Sequence, residues 1–568
     1  MFPAGELMKA ALSKPFVQAL ACASLALAVG CVPEADDLLV SEDEKTLETP
    51  DVFLDQGWSD ETRDAFYSTT QGSRMIPYAW FLALERADSR QAFKAASNMR
   101  RMGYIVDEHS PLNPDRLPVG FAKDVHPVRG ASLGLTCAGC HTGQIEFEGQ
   151  RIRIDGGQSM GDLEQFQNGL LASLQATYAD AGKFSRFADQ VVGNNASTAQ
   201  RDALRAELLQ YRDWWAARIA RSAGQSAHGP SRTDAFTIIA NEVVCQMIGV
   251  PANCTPGSAN GPTQYPFLWD TPDFEWVQYN SSVHSPLGRN VGEVTGVFAE
   301  MSLRPNLSVE STANPTNLHL LEEMLKSLRA PAWPADILGE IDQDLAAEGE
   351  AIFAERCISC HTEDPQPRSA PNAFGVTFAQ TNFSTPLSVL GTDPVAAVTF
   401  ATRRANPGAL APVMSALGVL GPDGKAPVAA ILSYNGSSII QQFLATLPDN
   451  LTRLTYLGFR QSRSPTTAQL LTYKARPLDG VAFTAPFLHN GSVASMYELL
   501  LPASQRLDEF HVGNLEYDPV HLGYSTERTS KTVLLDTALL GNSNAGHEFG
   551  TDLSDDQRYA LIEYIKTL

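Results

Sequence analysis

Two short segments carry the same residue types at the same spacing: Cys137-Ala138-Gly139-Cys140-His141 and Cys357-Ile358-Ser359-Cys360-His361. Each reads C-x-x-C-H, the attachment pattern of a c-type haem. Two thiols three residues apart can add to the two vinyl groups of one haem, and the histidine that follows meets the iron as proximal ligand. A single copy could be a chance match or a redox dithiol. Two copies, each with its own histidine, predict two covalently bound haems c.

A haem iron with one protein ligand can bind oxygen or peroxide, whereas one with two carries electrons. The sixth positions therefore matter most, and the chain has 11 histidines to supply them. His547, in Asn544-Ala-Gly-His547-Glu-Phe-Gly550, is the expected second ligand of the His361 haem. It lies in a glycine-flanked loop just before the terminal helix, the place from which cytochrome c domains present a distal Met or His. His489, in Thr484-Ala-Pro-Phe-Leu-His489-Asn-Gly-Ser492, is the rival and reads better as a residue that bonds a propionate or orients a loop. Arg476 and Lys474 are candidate propionate partners, because a guanidinium pairs bidentately with a carboxylate. Carrying the offset of His547 over to the end of the first half lands on Leu307, which is no ligand, with Met301 and His319 nearby but out of register. The expectation is an open haem at His141 and a closed one at His361 and His547.

The elements that must hold these residues follow from length and periodicity. At 568 residues the chain exceeds one ordinary core, and length suggests about two to four domains. A helix is expected from about Ala79 to Arg101, and a hairpin from Gln144 to Asp155, where residues alternate around a central glycine. Two long amphipathic helices are expected within 160–220, the second holding Trp214 and Trp215. Leu318–Leu328 and Gln557–Leu568 repeat one pattern, ending in Lys-Ser-Leu and Lys-Thr-Leu. The predicted fold is mainly α with long loops and a few short β-hairpins. It comprises two cytochrome c-like haem domains with large insertions, over residues 55–334 and 335–568. Pro331-Ala-Trp-Pro334 marks the boundary, and an amphipathic helix from Leu345 to Cys357 delivers the second motif.

Residues 1–31 read as an export signal, with Lys9 and Lys14 before an apolar run, Phe16 to Gly30, too short for a stable membrane span. Leu27-Ala-Val-Gly-Cys31 resembles a bacterial lipoprotein cleavage site, which favours a lipidated Cys31 over ordinary cleavage nearby. Residues 32–54 form an acidic tether. The expected location is the periplasm, the outer membrane through a lipid anchor, or the outside of the cell. Of eight cysteines, Cys22 lies in the signal and four in the haem motifs. Cys245 and Cys254 are expected to form a disulfide in an oxidising compartment. A net charge of −22, without a Lys/Arg block, argues against nucleic acid and anionic membranes as partners. It suits a small neutral substrate or a basic redox partner protein.

These residues resemble the di-haem cytochrome c peroxidase superfamily, which includes the MauG enzymes. The resemblance lies in the paired C-x-x-C-H motifs, in Ala485-Pro-Phe-Leu-His489-Asn-Gly-Ser492 with Tyr497-Glu-Leu-Leu500, and in Gly546-His547-Glu-Phe-Gly550. The chain is more similar to the bacterial rubber oxygenases of that superfamily. Gln71-Gly-Ser-Arg-Met-Ile-Pro-Tyr78, Leu117-Pro-Val-Gly-Phe-Ala-Lys-Asp124, Ile154-Asp-Gly-Gly157, Arg232-Thr-Asp-Ala-Phe236, Trp276-Val-Gln-Tyr-Asn280 and Arg289-Asn-Val-Gly-Glu293 carry that similarity. It implies dioxygen bound at the N-terminal haem in an apolar pocket, a bis-His C-terminal haem, and cleavage of polyisoprene or isoprenoid double bonds to carbonyl products. Trp276 is the first choice for an aromatic at the edge of the open haem, with Trp269, Phe274, Ile239 and Phe236 as neighbours. In relatives a calcium ion sits between the domains; the sequence leaves this open. Two rival functions remain. A peroxide-reducing or MauG-like enzyme needs an acid/base group near the open iron, for which Glu242, Glu275, His284 and Glu293 are candidates. A pure electron carrier needs both irons six-coordinate.

Overall fold

The computed structural model describes residues 51–107, 109–248, 254–361, 367–380, 384–460 and 463–568. The expected export signal with Cys22 and Cys31, and most of the expected acidic tether, lie outside the described residues. No helix among the described residues is long and apolar enough to cross a membrane.

The two C-x-x-C-H motifs arrive in different ways. The first follows a strand. Phe121–His126 and Gly130–Leu135 pair antiparallel, Ile76–Pro77 adds to the edge, and Cys137–Gly139 makes a single 3₁₀ turn. The chain then enters the hairpin Thr142–Phe147 and Gln150–Asp155, whose two-residue turn holds Glu148 and Gly149 at positive φ. That is the turn type whose twist matches the flanking strands. The second motif closes a helix, Gln343–Arg356, capped by Asp342 accepting from the backbone N–H groups of Asp344 and Leu345.

The terminal helix Asp555–Ile565 crosses this motif helix. It starts in a capping box formed by Ser554 and Gln557. The crossing is close because of Gly349: a Cβ there would lie 2.0 Å from the carbonyl oxygen of Ala560. Phe353 and Tyr564 pack beside it. The apolar cluster around this crossing takes Trp58, Phe66, Ile145, Trp269 and Leu328 from the first half and Phe353, Phe483, Leu561 and Ile565 from the second. The halves on either side of Pro331 therefore share a core.

Two expected elements differ. The helix placed at 79–101 is two short ones, Tyr78–Ala83 and Ala96–Arg101. Glu85 between them pairs with Arg186 and Lys183, and Lys183 also donates to the carbonyl oxygen of Arg86. These partners, remote in sequence, hold the segment out of a helix. Residues 160–220 form three helices, Leu163–Ala179, Ala181–Val191 and Thr198–Arg221, and the third carries Trp214 and the fully buried Trp215. Asp180 makes the extra break, ending one helix in extended backbone while its carboxylate caps the next through the N–H of Lys183. Cys245 and Cys254 are joined by a disulfide.

Gly349→Ala is expected to destabilise the protein by about 1–3 kcal/mol, the usual cost of overpacking a tight contact. Gly436→Ala, in a helix with nothing within 4 Å of the added methyl, is expected to stabilise by about 0.4–1 kcal/mol. Denaturant midpoints of the two variants check both.

Candidate haem sites

Each motif histidine is aimed by a main-chain carbonyl far away in sequence. His141 Nδ1 lies 2.7 Å from the carbonyl oxygen of Pro266, and His361 Nδ1 lies 2.8 Å from that of Arg476. A carbonyl only accepts, so Nδ1 carries the proton in both rings and Nε2 is left with its lone pair, the form that binds iron. Burial pulls His141 down to about 4 and lowers His361 too, keeping both rings neutral. Burial also pushes the Cys137 and Cys140 thiols up to about 12 and Cys357 to about 11. None of the four motif cysteines is in a disulfide.

Opposite His361 stands His547. Their ring centroids are 6.2 Å apart, the planes inclined at 59°. Two imidazoles sharing one metal at about 2 Å per bond need a gap of this size, so a haem iron fits between them. Three features set His547 in place. Its N–H donates to the carbonyl oxygen of Leu390. Gly546 has φ +78° and presses so closely on Gly391 and Thr392 that no Cβ would fit. Arg506 donates to the carbonyl oxygen of Gly546. Burial, then the neighbouring His361 and Arg506, lower His547 to about 4, and its buried Nδ1 has no protein partner.

His141 faces a cavity instead. Pro266, Phe267, Leu268, Phe274 and Val277 form its apolar wall; Gln278, Arg289, Glu293, Lys474 and Arg476 form its polar wall. Its lining contains no methionine and no second histidine. Arg289 Nη1 and Arg476 Nε are buried without a protein acceptor. Two orphan guanidinium donors in one wall fit the two propionates of a haem. Gln278 Nε2 donates to Glu293 Oε1 at 2.8 Å, and burial raises the pKa of Glu293.

Four of the five residues expected at the distal pocket do not line this cavity. Trp276 turns outward, its ring edge-on to His284 at 5.0 Å and under Arg463, while its carbonyl accepts from Lys474 Nζ. Trp269 stacks behind Phe267 at 4.4 Å and donates Nε1–H to the carbonyl of Asp479. Phe236 stacks on Phe400, and Ile239 packs against Gly296 in another cluster. Large side chains find apolar partners before they find a cavity, and residue type does not say which partner wins. Phe274 is the named neighbour that does line it. Of the candidate acids, only Glu293 reaches the cavity. Glu242 pairs with Arg218 and Arg221, and Glu275 with Arg463, whose guanidinium also meets His284. His489 stacks on Tyr473 at 3.9 Å and stands edge-on to Tyr279, a cavity residue, so it lies one ring back from the site. Gln278 and Arg289 were absent from the site candidates; the H-bond to Glu293 is what marks the first, and it exists only in the fold. Among the described residues no group of three or more Asp, Glu, His or Cys could hold a metal ion.

Residues 472–511, which include Lys474, Arg476 and His489, match the RoxA-like, cytochrome c-like family. A cytochrome c-like segment implies covalently bound haem c. Uncharacterized protein y4iJ of Sinorhizobium fredii is 32% identical over 91% of this chain and 93% of its own length. Uncharacterized protein y4iM of the same organism is 26% identical over 54% of this chain and 64% of its own. The Cbb3-type cytochrome c oxidase subunit CcoP of Cereibacter sphaeroides is 27% identical over 20% of this chain and 35% of the subunit.

In the haem-loaded protein, EPR is expected to show one high-spin and one low-spin ferric signal. His547→Ala is expected to convert the low-spin signal to high-spin and leave the other unchanged. A spectrum with no high-spin component would refute the open site at His141.

Proposed function

The chain belongs to the family of the Sinorhizobium fredii protein y4iJ, and we propose that it is an exported di-haem c-type oxidoreductase that activates an oxygen species, dioxygen or peroxide, on the open side of a haem held by His141. In this reading the chain forms two cytochrome c-like domains, and the His361 and His547 haem stores and passes electrons, supplied by a small donor or a redox partner protein. The observation that carries the reading is the asymmetry of the two histidines: His361 faces a second imidazole at 6.2 Å, and His141 faces a cavity without one.

The polar wall of that cavity favours chemistry that moves protons. Bound haem would supply the redox change; the protein's part is to bind, orient and transfer hydrogen. Gln278 holds Glu293 Oε1, which leaves Oε2 to take a proton from one oxygen of a peroxide and return it to the departing one. Burial raises the pKa of this carboxyl against the opposing pull of Arg289, 4.0 Å away. Arg289 and Arg476 would anchor the propionates and fix the haem plane against the Phe267 and Phe274 wall. Peroxide reduction, or a MauG-like oxidation, is the activity this geometry supports best.

A second reading has its own support. The RoxA-like match, with the apolar half of the cavity, fits a dioxygenase that splits a carbon–carbon double bond of an isoprenoid. One comparison separates the two. Purified protein is given hydrogen peroxide with an electron donor, and separately an isoprenoid oligomer under air. The proposal expects peroxide-dependent donor oxidation that falls about 100-fold in Glu293→Gln, within the usual contribution of general acid–base catalysis. Carbonyl products under air, undiminished in that variant, establish the dioxygenase instead.

A further inference from the structure

The geometry points to Arg476 as a positioning residue that couples the two haem sites through one continuous set of hydrogen bonds. The inference rests on the di-haem reading above and adds a route between its halves.

The route begins at His141, whose Nδ1–H donates to the carbonyl of Pro266 at 2.7 Å. The next carbonyl, of Phe267, accepts from Arg476 Nη2 at 2.8 Å. The carbonyl of Arg476 itself accepts from His361 Nδ1 at 2.8 Å. Three hydrogen bonds, the backbone from Pro266 to Phe267 and the Arg476 side chain thus connect the ring of His141 to that of His361. The Arg476 guanidinium lies flat on Phe267, with Cζ 3.5 Å from the ring centroid, and 5.6 Å from Phe274. Both rings line the His141 cavity. A further donor, Nε, is buried and without a protein acceptor, available to a propionate of the same haem.

The two ends of this residue do different work. Its side chain is anchored in the His141 site, and its carbonyl orients the ligand in the His361 site. A carbonyl that accepts from Nδ1–H makes the ring a stronger donor to iron, and its partners are known to tune a metal site. A change of charge or coordination at the His141 haem alters the pull on the guanidinium. The backbone two residues before it is held as well, by the N–H of Lys474 on the Tyr279 carbonyl and by Lys474 Nζ on that of Trp276. The displacement has little slack to disappear into and reaches the Arg476 carbonyl. Arginine suits the task because its planar fork can satisfy the Phe267 carbonyl and a propionate together, which a lysine point charge cannot.

The test is spectroelectrochemical titration of the full-length holoprotein, following the low-spin haem with the open site free and with cyanide bound there. In the wild type, cyanide is expected to shift the low-spin reduction equilibrium about tenfold, or about 59 mV for one electron. Arg476→Gln and Arg476→Lys each leave the backbone carbonyl in place and are expected to reduce that shift at least twofold, with both haems still attached. A full shift in either variant overturns the coupling role, as does a wild-type low-spin haem indifferent to cyanide. A wild type with no low-spin haem at all overturns the di-haem reading itself, which keeps the two failures apart. The Lys variant serves if the Gln variant does not fold.

Discussion

Two hydrogen bonds, from His141 Nδ1 to the Pro266 carbonyl and from His361 Nδ1 to the Arg476 carbonyl, are the constraint around which the rest is arranged. An imidazole can bind iron through Nε2 only if it is neutral, correctly tautomerised and correctly turned. A main-chain carbonyl settles all three at once, because it can only accept and cannot titrate. The cost is topological. Each acceptor lies more than a hundred residues downstream of its histidine, so the chain must return over the haem face after a long excursion. The large insertions after each motif are those excursions.

The two returns deliver unequal surroundings. After the second motif the chain comes back with Arg476, then closes through the Arg506-held loop that presents His547, and the terminal helix locks the motif helix through Gly349 and Ala560. The braced loop and the turn after the braced helix set the two imidazoles 6.2 Å apart. After the first motif the chain comes back with Pro266 and Phe267, then with the helix Pro286–Gly296, which brings Arg289 and Glu293. These are groups that hold propionates and protons. The helix Pro286–Gly296 thus shapes the cavity at His141, as the loop before the terminal helix brings His547 to His361.

The two sites also share walls. Arg476 belongs to the segment that holds His361 and to the cavity over His141, and the apolar cluster beneath them draws on both halves of the chain. A pair of separable cytochrome modules would have no need of such a residue. Buried guanidinium nitrogens without a protein acceptor are costly unless something pairs with them, and here one such nitrogen each of Arg289 and Arg476, whose other nitrogens bond Glu322 and the Phe267 carbonyl, borders the cavity at His141.

The sequence by itself determined what is local. The C-x-x-C-H spacing, the hairpin turn at Glu148 and Gly149, the capped helices at Asp342 and Ser554, and the glycine-flanked loop of His547 each depend on residues within a few positions of one another, so pattern and propensity suffice to read them. What only the tertiary structure decided is which distant groups meet. Trp276 and Trp269 have the bulk and polarity of pocket residues, yet Trp269 buries itself against Phe267 and the half-buried Trp276 turns to His284 and Arg463. Glu293 looks like one of several acids until Gln278 bonds to it and Arg218, Arg221 and Arg463 occupy its rivals. Asp180 and Glu85 break helices that periodicity would have continued, the first through its own cap and the second through partners about a hundred residues away. The carbonyls of Pro266 and Arg476 leave no trace in residue type at all, since every residue has one, and only the fold selects which of them a histidine will find.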